Sequence, residues 1–217
     1  MNNKPSPLPW ILVAAVFIVG SLYAYNRLTQ PTPAAGTPST EPVVPLSRAV
    51  KPDTTQPLPA LHAAASKGDA AALQALCAPG TDVDARDSMG RTPLMHACLH
   101  GSADSVAVLL GAGSSTALAD SQGATALYFA SGTEGSIDLV RALLEAGADV
   151  NAATSDQSTP LMRAAQAGDP ARCIVLLDAG ASATSKDSAG RSALDHAKAR
   201  NDDAGARCAA ILEQAAP

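Results

Sequence analysis

Five stretches of this 217-residue chain superimpose leucine on leucine: LPALHAAASKGD at Leu61, RTPLMHACLHGS at Leu94, ATALYFASGTEGS at Leu127, STPLMRAAQAGD at Leu161 and RSALDHAKARND at Leu194. The intervals are 33, 33, 34 and 33 residues. A fixed period of this length limits the fold more than any other feature. Such a unit has room for two short helices and a turn, cannot bury its apolar face alone, and acquires a core only by stacking on the next unit. The extra residue of the third interval falls within Ser131 to Gly135.

Each unit continues into a second pattern. AALQALCAPGTDVDARD, SVAVLLGAGSSTALAD, DLVRALLEAGADVNA and RCIVLLDAGASATSKD each give an apolar helix face, a glycine suited to a left-handed helix stop and a polar turn. The stacked first helices predict close contacts at Ala97, Ala130, Ala164 and Ala197. Leu109, Leu110, Leu143, Leu144, Leu176 and Leu177 fill the seam between the second helices. Aromatics are 3% of the chain, so Ala, Leu and Val must make this core. Asp87–Gly90, Asp120–Gly123 and Asp187–Gly190 read as D-x-x-G turns, where Asp bonds nearby amides and Gly permits positive φ. The fourth unit has Thr154 and Gln157 in those places, which predicts the least regular turn of the set. The first and last units carry more polar or irregular sequence, as terminal caps require.

This arrangement resembles the ankyrin repeat: a D-x-x-G turn, then T-P-L-H-x-A-A on a first helix, then V-x-x-L-L-x-x-G-A on a second. The resemblance covers residues 58–217, with units near 58–86, 87–119, 120–153, 154–186 and 187–217. It implies an all-α solenoid of about five helix-turn-helix units with short β-turn fingers. His62, Met95, Tyr128, Met162 and Asp195 occupy the slot where the family has His, so the hydrogen bonds that His supplies are in doubt in four units. The resemblance also implies a protein-binding concave face built from turn tips and exposed first-helix positions. Carried over, the turn tips are Met89, Arg91, Gln122, Ala124, Asp156, Ser158, Ala189 and Arg191. The helix positions are His96, Leu99, His100, Phe129, Thr133, Arg163, Gln166 and His196. Phe129 stands out as an aromatic anchor on an otherwise polar surface, while its neighbour Tyr128 is read as structural.

The N-terminus is a different object. Residues 1–9 are a short tail, and Trp10 to Tyr25 carries no charge. As a helix it would span about 24 Å, so residues 10–25 are read as a transmembrane helix with Trp10, Tyr23 and Tyr25 near its ends. The rival is a signal segment cleaved to release the chain, which Leu22-Tyr23-Ala24 fits poorly. Residues 26–57, rich in Pro, Thr and Ser, read as a disordered linker. A nine-residue tail left in the cytoplasm would place the C-terminal part on the outer side of a bacterial inner membrane, in the periplasm.

Chemistry is nearly absent from the motifs. The chain has no G-x-S-x-G, no phosphate-cradling G-x-x-x-x-G-K and no C-x-x-C, so no catalytic residues, no cofactor and no small-molecule substrate are expected. His96 and His100, four apart on one helix, could share a metal, but the pattern supplies no third ligand beyond an inward-facing Cys98. They are read as exposed helix positions and no metal site is assigned. Cys173 and Cys208 occupy equivalent places in neighbouring second helices; reduced thiols are the expectation, with a bridge the alternative in an oxidising compartment. The net charge of −5 argues against nucleic acid. Residues 58–217 hold 11 Lys and Arg against 18 Asp and Glu, a balance of −7 that favours a protein partner with a neutral or basic surface. Membrane contact is expected only through the N-terminal helix.

The layout resembles bacterial periplasmic ankyrin proteins, some of which are associated with antioxidant defence through catalase. It implies a non-enzymatic, membrane-tethered interaction module. Two alternatives are an immunity-type protein neutralising a toxin in the periplasm, and a metal-binding protein or enzyme using His96 and His100.

Overall fold

The computed structural model describes residues 58–215, and among them the secondary structure is helical, apart from one isolated bridge between Ala119 and Thr125. The expected anchor and linker lie outside the described residues. Among the described ones no helix is long and apolar enough to cross a membrane. The first helices of the units are α1 (Leu58–Lys67), α3 (Pro93–Leu99), α5 (Ala126–Gly132), α7 (Pro160–Ala167) and α9 (Ala193–Lys198). The second helices are α2 (Ala70–Leu76), α4 (Ala103–Gly111), α6 (Asp138–Glu145), α8 (Pro170–Asp178) and α10 (Asp203–Ala215). Each row packs in order along its own layer, and each first helix packs on the second helix of its unit.

Local chemistry sets these short helices. Thr92, Thr125 and Thr159 cap α3, α5 and α7, each hydroxyl accepting the amide three residues on, and Pro93 and Pro160 follow at the first helical turn. Helices of seven or eight residues are unstable alone, so stacking must hold them. The predicted seam is where they stack. Ala97, Ala130, Ala164 and Ala197 are sealed from solvent, as are Leu109, Leu143 and Leu176, while Leu110, Leu144 and Leu177 are partly buried against them. Cys98, Cys173 and Cys208 lie in the same core as free thiols, and Cys77 is half-buried. Burial raises all four thiols above their ordinary range, Cys173 and Cys208 beside one another, which makes them poor nucleophiles.

The fingers between units repeat one bonding scheme. Asp87 Oδ1 accepts the amides of Met89 and Arg91 at 2.8 and 2.9 Å. Asp120 and Asp187 each accept the corresponding pair at 2.9 Å. Each finger then joins the next through its backbone: Ser121 N donates to Met89 O (3.0 Å), Ser155 N to Gln122 O (2.8 Å) and Ser188 N to Asp156 O (2.9 Å). The finger glycine sits under this ladder. At Gly123, with φ of 78°, an added Cβ would lie 3.1 Å from Ser155 N.

The fourth finger corrects the expectation of irregularity. Thr154 Oγ1 accepts the Ser158 amide at 3.0 Å and also contacts Asp156, so a hydroxyl does the work of the missing carboxylate. Gln157 takes the glycine's left-handed conformation, with φ of 62°, and its amide still donates to Thr154 O at 2.9 Å. The long third unit is also resolved in detail. Helix α5 ends at Thr133 in extended backbone (ψ 140°), where Thr133 Oγ1 donates to Phe129 O at 2.8 Å. The loop beyond is held from the next unit by buried Arg172, which donates to Gly135 O and to Asp169 Oδ2, both at 2.7 Å.

Two outcomes follow. Gly123→Ala should lower stability by about 1–2 kcal/mol, and Gln157→Gly should raise it by about 0.5–1 kcal/mol, since only the first adds a strained Cβ and only the second removes one. Urea unfolding of the two variants reads both signs. Asp187, held by the Arg191 amide and by His196, has its carboxyl lowered from 3.8 to about 2. A depressed folded-state value gives stability that is complete above the ordinary value and lost as pH falls through the folded one. The urea midpoint should therefore drop between about pH 4 and pH 2, and Asp187→Asn should flatten that drop.

Candidate interaction surface

Residue i+2 after the aligned leucine of a first helix faces the fingers, and the sequence places Phe129 there in the third unit and Arg163 in the fourth. Phe129, with Tyr128, Arg91 and the finger residues, lines an open groove of about 560 Å³, and Arg163 lies against the Tyr128 ring. Its floor is an aromatic pair: the Tyr128 and Phe129 rings meet edge to face, 6.1 Å between centroids at 81°. A guanidinium lies against each ring, Arg91 at 5.1 Å from the Phe129 centroid and Arg163 at 5.9 Å from that of Tyr128. Arg91 is aimed by Asp120, whose buried Oδ2 accepts its Nε at 3.4 Å. Arg163 lies over Gly132, where an added Cβ would come within 2.3 Å of its Nε, and it donates to Gln166 Oε1 at 3.0 Å. Gln122, Ser155, Asp156 and Ser188 form the polar rim. The arrangement presents two cation faces, two aromatic edges and several hydrogen-bonding groups to whatever enters, a composition common at interface centres.

Among the residues expected on this face, Arg91, Gln122, Ala124, Asp156 and Phe129 converge on the groove. Tyr128 joins them there, correcting the division of the aromatic pair into one structural residue and one contact. Phe129 is half-buried and packs on the core, so it is less open than a free anchor. Met89 stands outside the groove on its fingertip, 46% exposed. Leu99 is half-buried, His100 and Gln166 are exposed, and Gln166 O accepts Arg200 Nη1 at 2.8 Å. Thr133 is engaged in closing α5, and Ser158 is buried behind its finger. Arg191 is held to Asp187 at 2.9 Å with most of its side chain in water, beside exposed Ala189.

Two of the three histidines of this list are tied down rather than offered. His196 is buried and its Nε2 meets Asp187 Oδ2 at 2.9 Å. His96 Nε2 meets Asp87 Oδ2 at 2.9 Å, and its ring lies edge to face on His62, 5.2 Å between centroids. His100 falls outside the His96 cluster, at the exposed end of α3. The reading of His96 as an exposed helix position is thus corrected: it is turned onto the finger, while His100 stands exposed at the helix end. His62 keeps the family slot's bond, with Nε2 donating to Arg91 O at 3.0 Å. Sequence reasoning missed Arg172 and the Arg163–Tyr128 contact, whose partners lie 37 and 35 positions away in the neighbouring unit.

Residues 61–154 match the family model described as ankyrin repeats in three copies. The B-cell lymphoma 3 protein homolog of Mus musculus is 40% identical over 106 residues, 48% of this chain and 23% of that protein. The human ankyrin repeat and SOCS box protein 3 is 37% identical over 101 residues, 45% of this chain and 19% of that protein. Inversin of Mus musculus is 34% identical over 118 residues, 54% of this chain and 11% of that protein. The chain therefore spans less than a quarter of each of these relatives.

Because Phe129 serves both core and groove, Phe129→Ala should cost about 1–2 kcal/mol by urea unfolding, below the ~3–5 kcal/mol of a sealed Phe. Gln122→Arg, on the rim, should leave the unfolding midpoint unchanged, within about 0.5 kcal/mol.

Proposed function

Given that the chain carries ankyrin repeats, we propose that it is a non-enzymatic module that binds a protein partner through the groove centred on Phe129 and Tyr128. The observation that carries this reading is the row Arg91–Phe129–Tyr128–Arg163. Cation faces on stacked aromatics are fixed in place before any partner arrives, so little side-chain entropy is lost when one does. A partner segment with an apolar side chain for the aromatic floor and hydrogen-bonding groups for the rim fits this surface, and the −7 balance of residues 58–217 favours neutral or basic surroundings on it.

The module is further proposed to be tethered by the uncharged segment Trp10–Tyr25 to a bacterial inner membrane, with the repeats in the periplasm. The Pro- and Thr-rich residues 26–57 would act as the spacer. A catalase-linked host protein and an invading toxin are two identities for the partner in that compartment.

Photo-crosslinking in cells from a reactive group at position 122 should recover one protein, and the same group at Ile174, exposed on the second-helix side, should not. Recovery should fall by about tenfold or more with Arg163→Glu. Equal capture from both positions would remove the groove from the proposal. Protease added to spheroplasts should remove the repeats, while intact cells protect them; protection in both would overturn the periplasmic placement.

A further inference from the structure

The first interface of the stack holds a group that the rest of the repeat lacks. A ring nitrogen of His62, a ring nitrogen of His96 and a carboxylate oxygen of Asp87 all lie within 4.8 Å of one another. His62 comes from α1, His96 from α3 and Asp87 from the finger between them. We propose that these three residues form a binding site for a divalent cation of the zinc class, with a fourth position open to water.

Asp87 and His96 are each held by bonds beyond the contact they make with one another, as metal ligands generally are. Asp87 Oδ1 is occupied by the Met89 and Arg91 amides at 2.8 and 2.9 Å, which turns Oδ2 toward His96. His62 Nε2 donates to Arg91 O at 3.0 Å. His96 Nδ1 lies 3.2 Å from Ser66 Oγ. Ser66 Oγ also donates to His62 O at 2.8 Å, so it ties the two helices together beside the ring. His96 Nε2 faces Oδ2 of Asp87 at 2.9 Å. The 2.9 Å between His96 Nε2 and Asp87 Oδ2 is near the roughly 3.3 Å that separates two ligand atoms on tetrahedral zinc, each about 2.0–2.1 Å from the ion.

The fifth unit provides an internal comparison. Asp187 and His196 repeat the pair at the same 2.9 Å, with the same two amides on Oδ1. Met162 stands there in the slot of His62, and Gln166 in that of Ser66. That pair has two groups and serves the finger alone. At the first interface His62 adds the third, and the side chains of His96 and Asp87 remain 18% and 26% exposed, open enough for a cation to enter. Two imidazoles and one carboxylate with an open position suit zinc chemistry. A cation bound there would link the first unit to the second.

The test uses the full-length chain, purified in detergent and stripped with a chelator. Titration with zinc chloride should show one saturable site per chain, and cobalt(II) should give the visible bands of a four-coordinate nitrogen and oxygen environment. His62→Met, which installs the residue found at position 162, and His96→Gln should each weaken zinc binding by about tenfold or more and remove the cobalt bands. His196→Gln and His100→Ala should leave both readouts unchanged, and circular dichroism without metal should report all four variants folded. Failure of the parent chain to saturate would overturn the proposal. So would wild-type binding by His62→Met and His96→Gln, or equal loss in His196→Gln.

Discussion

The stack rests on one repeated lock: a side-chain oxygen at the start of each finger that accepts the finger's own amides and so sets the carbonyl that receives the next finger. With the Asp87, Asp120, Thr154 and Asp187 locks in place, Met89, Gln122 and Asp156 each point a carbonyl at the following amide. Burial of Leu and Ala drives the helices together, but it is tolerant of small slips. The amide-to-carbonyl ladder is not, because a shifted finger leaves a donor unpaired. The ladder therefore fixes the spacing of units, and that spacing brings Arg91 over Phe129 and Arg163 over Tyr128.

The core was legible because it is written in the period. Leu61, Leu94, Leu127 and Leu161 are all sealed, and the small residues one turn on lie beneath the neighbouring helix. The finger shape was legible where Asp and Gly carry it, and misread at Thr154 and Gln157. A hydroxyl can accept the same amide as a carboxylate, and Gln at φ of 62° costs strain that the surrounding bonds offset. Arg172 was not legible at all, since its partner Gly135 O belongs to a loop whose path depends on the single extra residue.

The histidines show the same division. Reading along one helix set His96 and His100, four residues apart, as two exposed positions. Reading across the stack pairs His96 with His62, 34 residues apart in a chain of period 33, and the structure follows the second rule. In a repeat protein the chemistry-bearing neighbours are one period away plus or minus a residue or two. That rule also joins Arg163 to Tyr128, 35 residues apart, whereas Asp87 meets His96 from the finger of the same unit.

Amide hydrogen exchange tests the ladder directly. The amides of Ser121, Ser155 and Ser188 belong to exposed residues, so without the ladder they would exchange at nearly the rate of an open chain. If the finger lock fixes the stack, all three should be protected to a degree comparable with the amides of α5 and α7, including Ser155 in the finger built on Thr154. Fast exchange at these three positions while the helices remain protected would contradict it, and would leave the apolar seam alone to set the register.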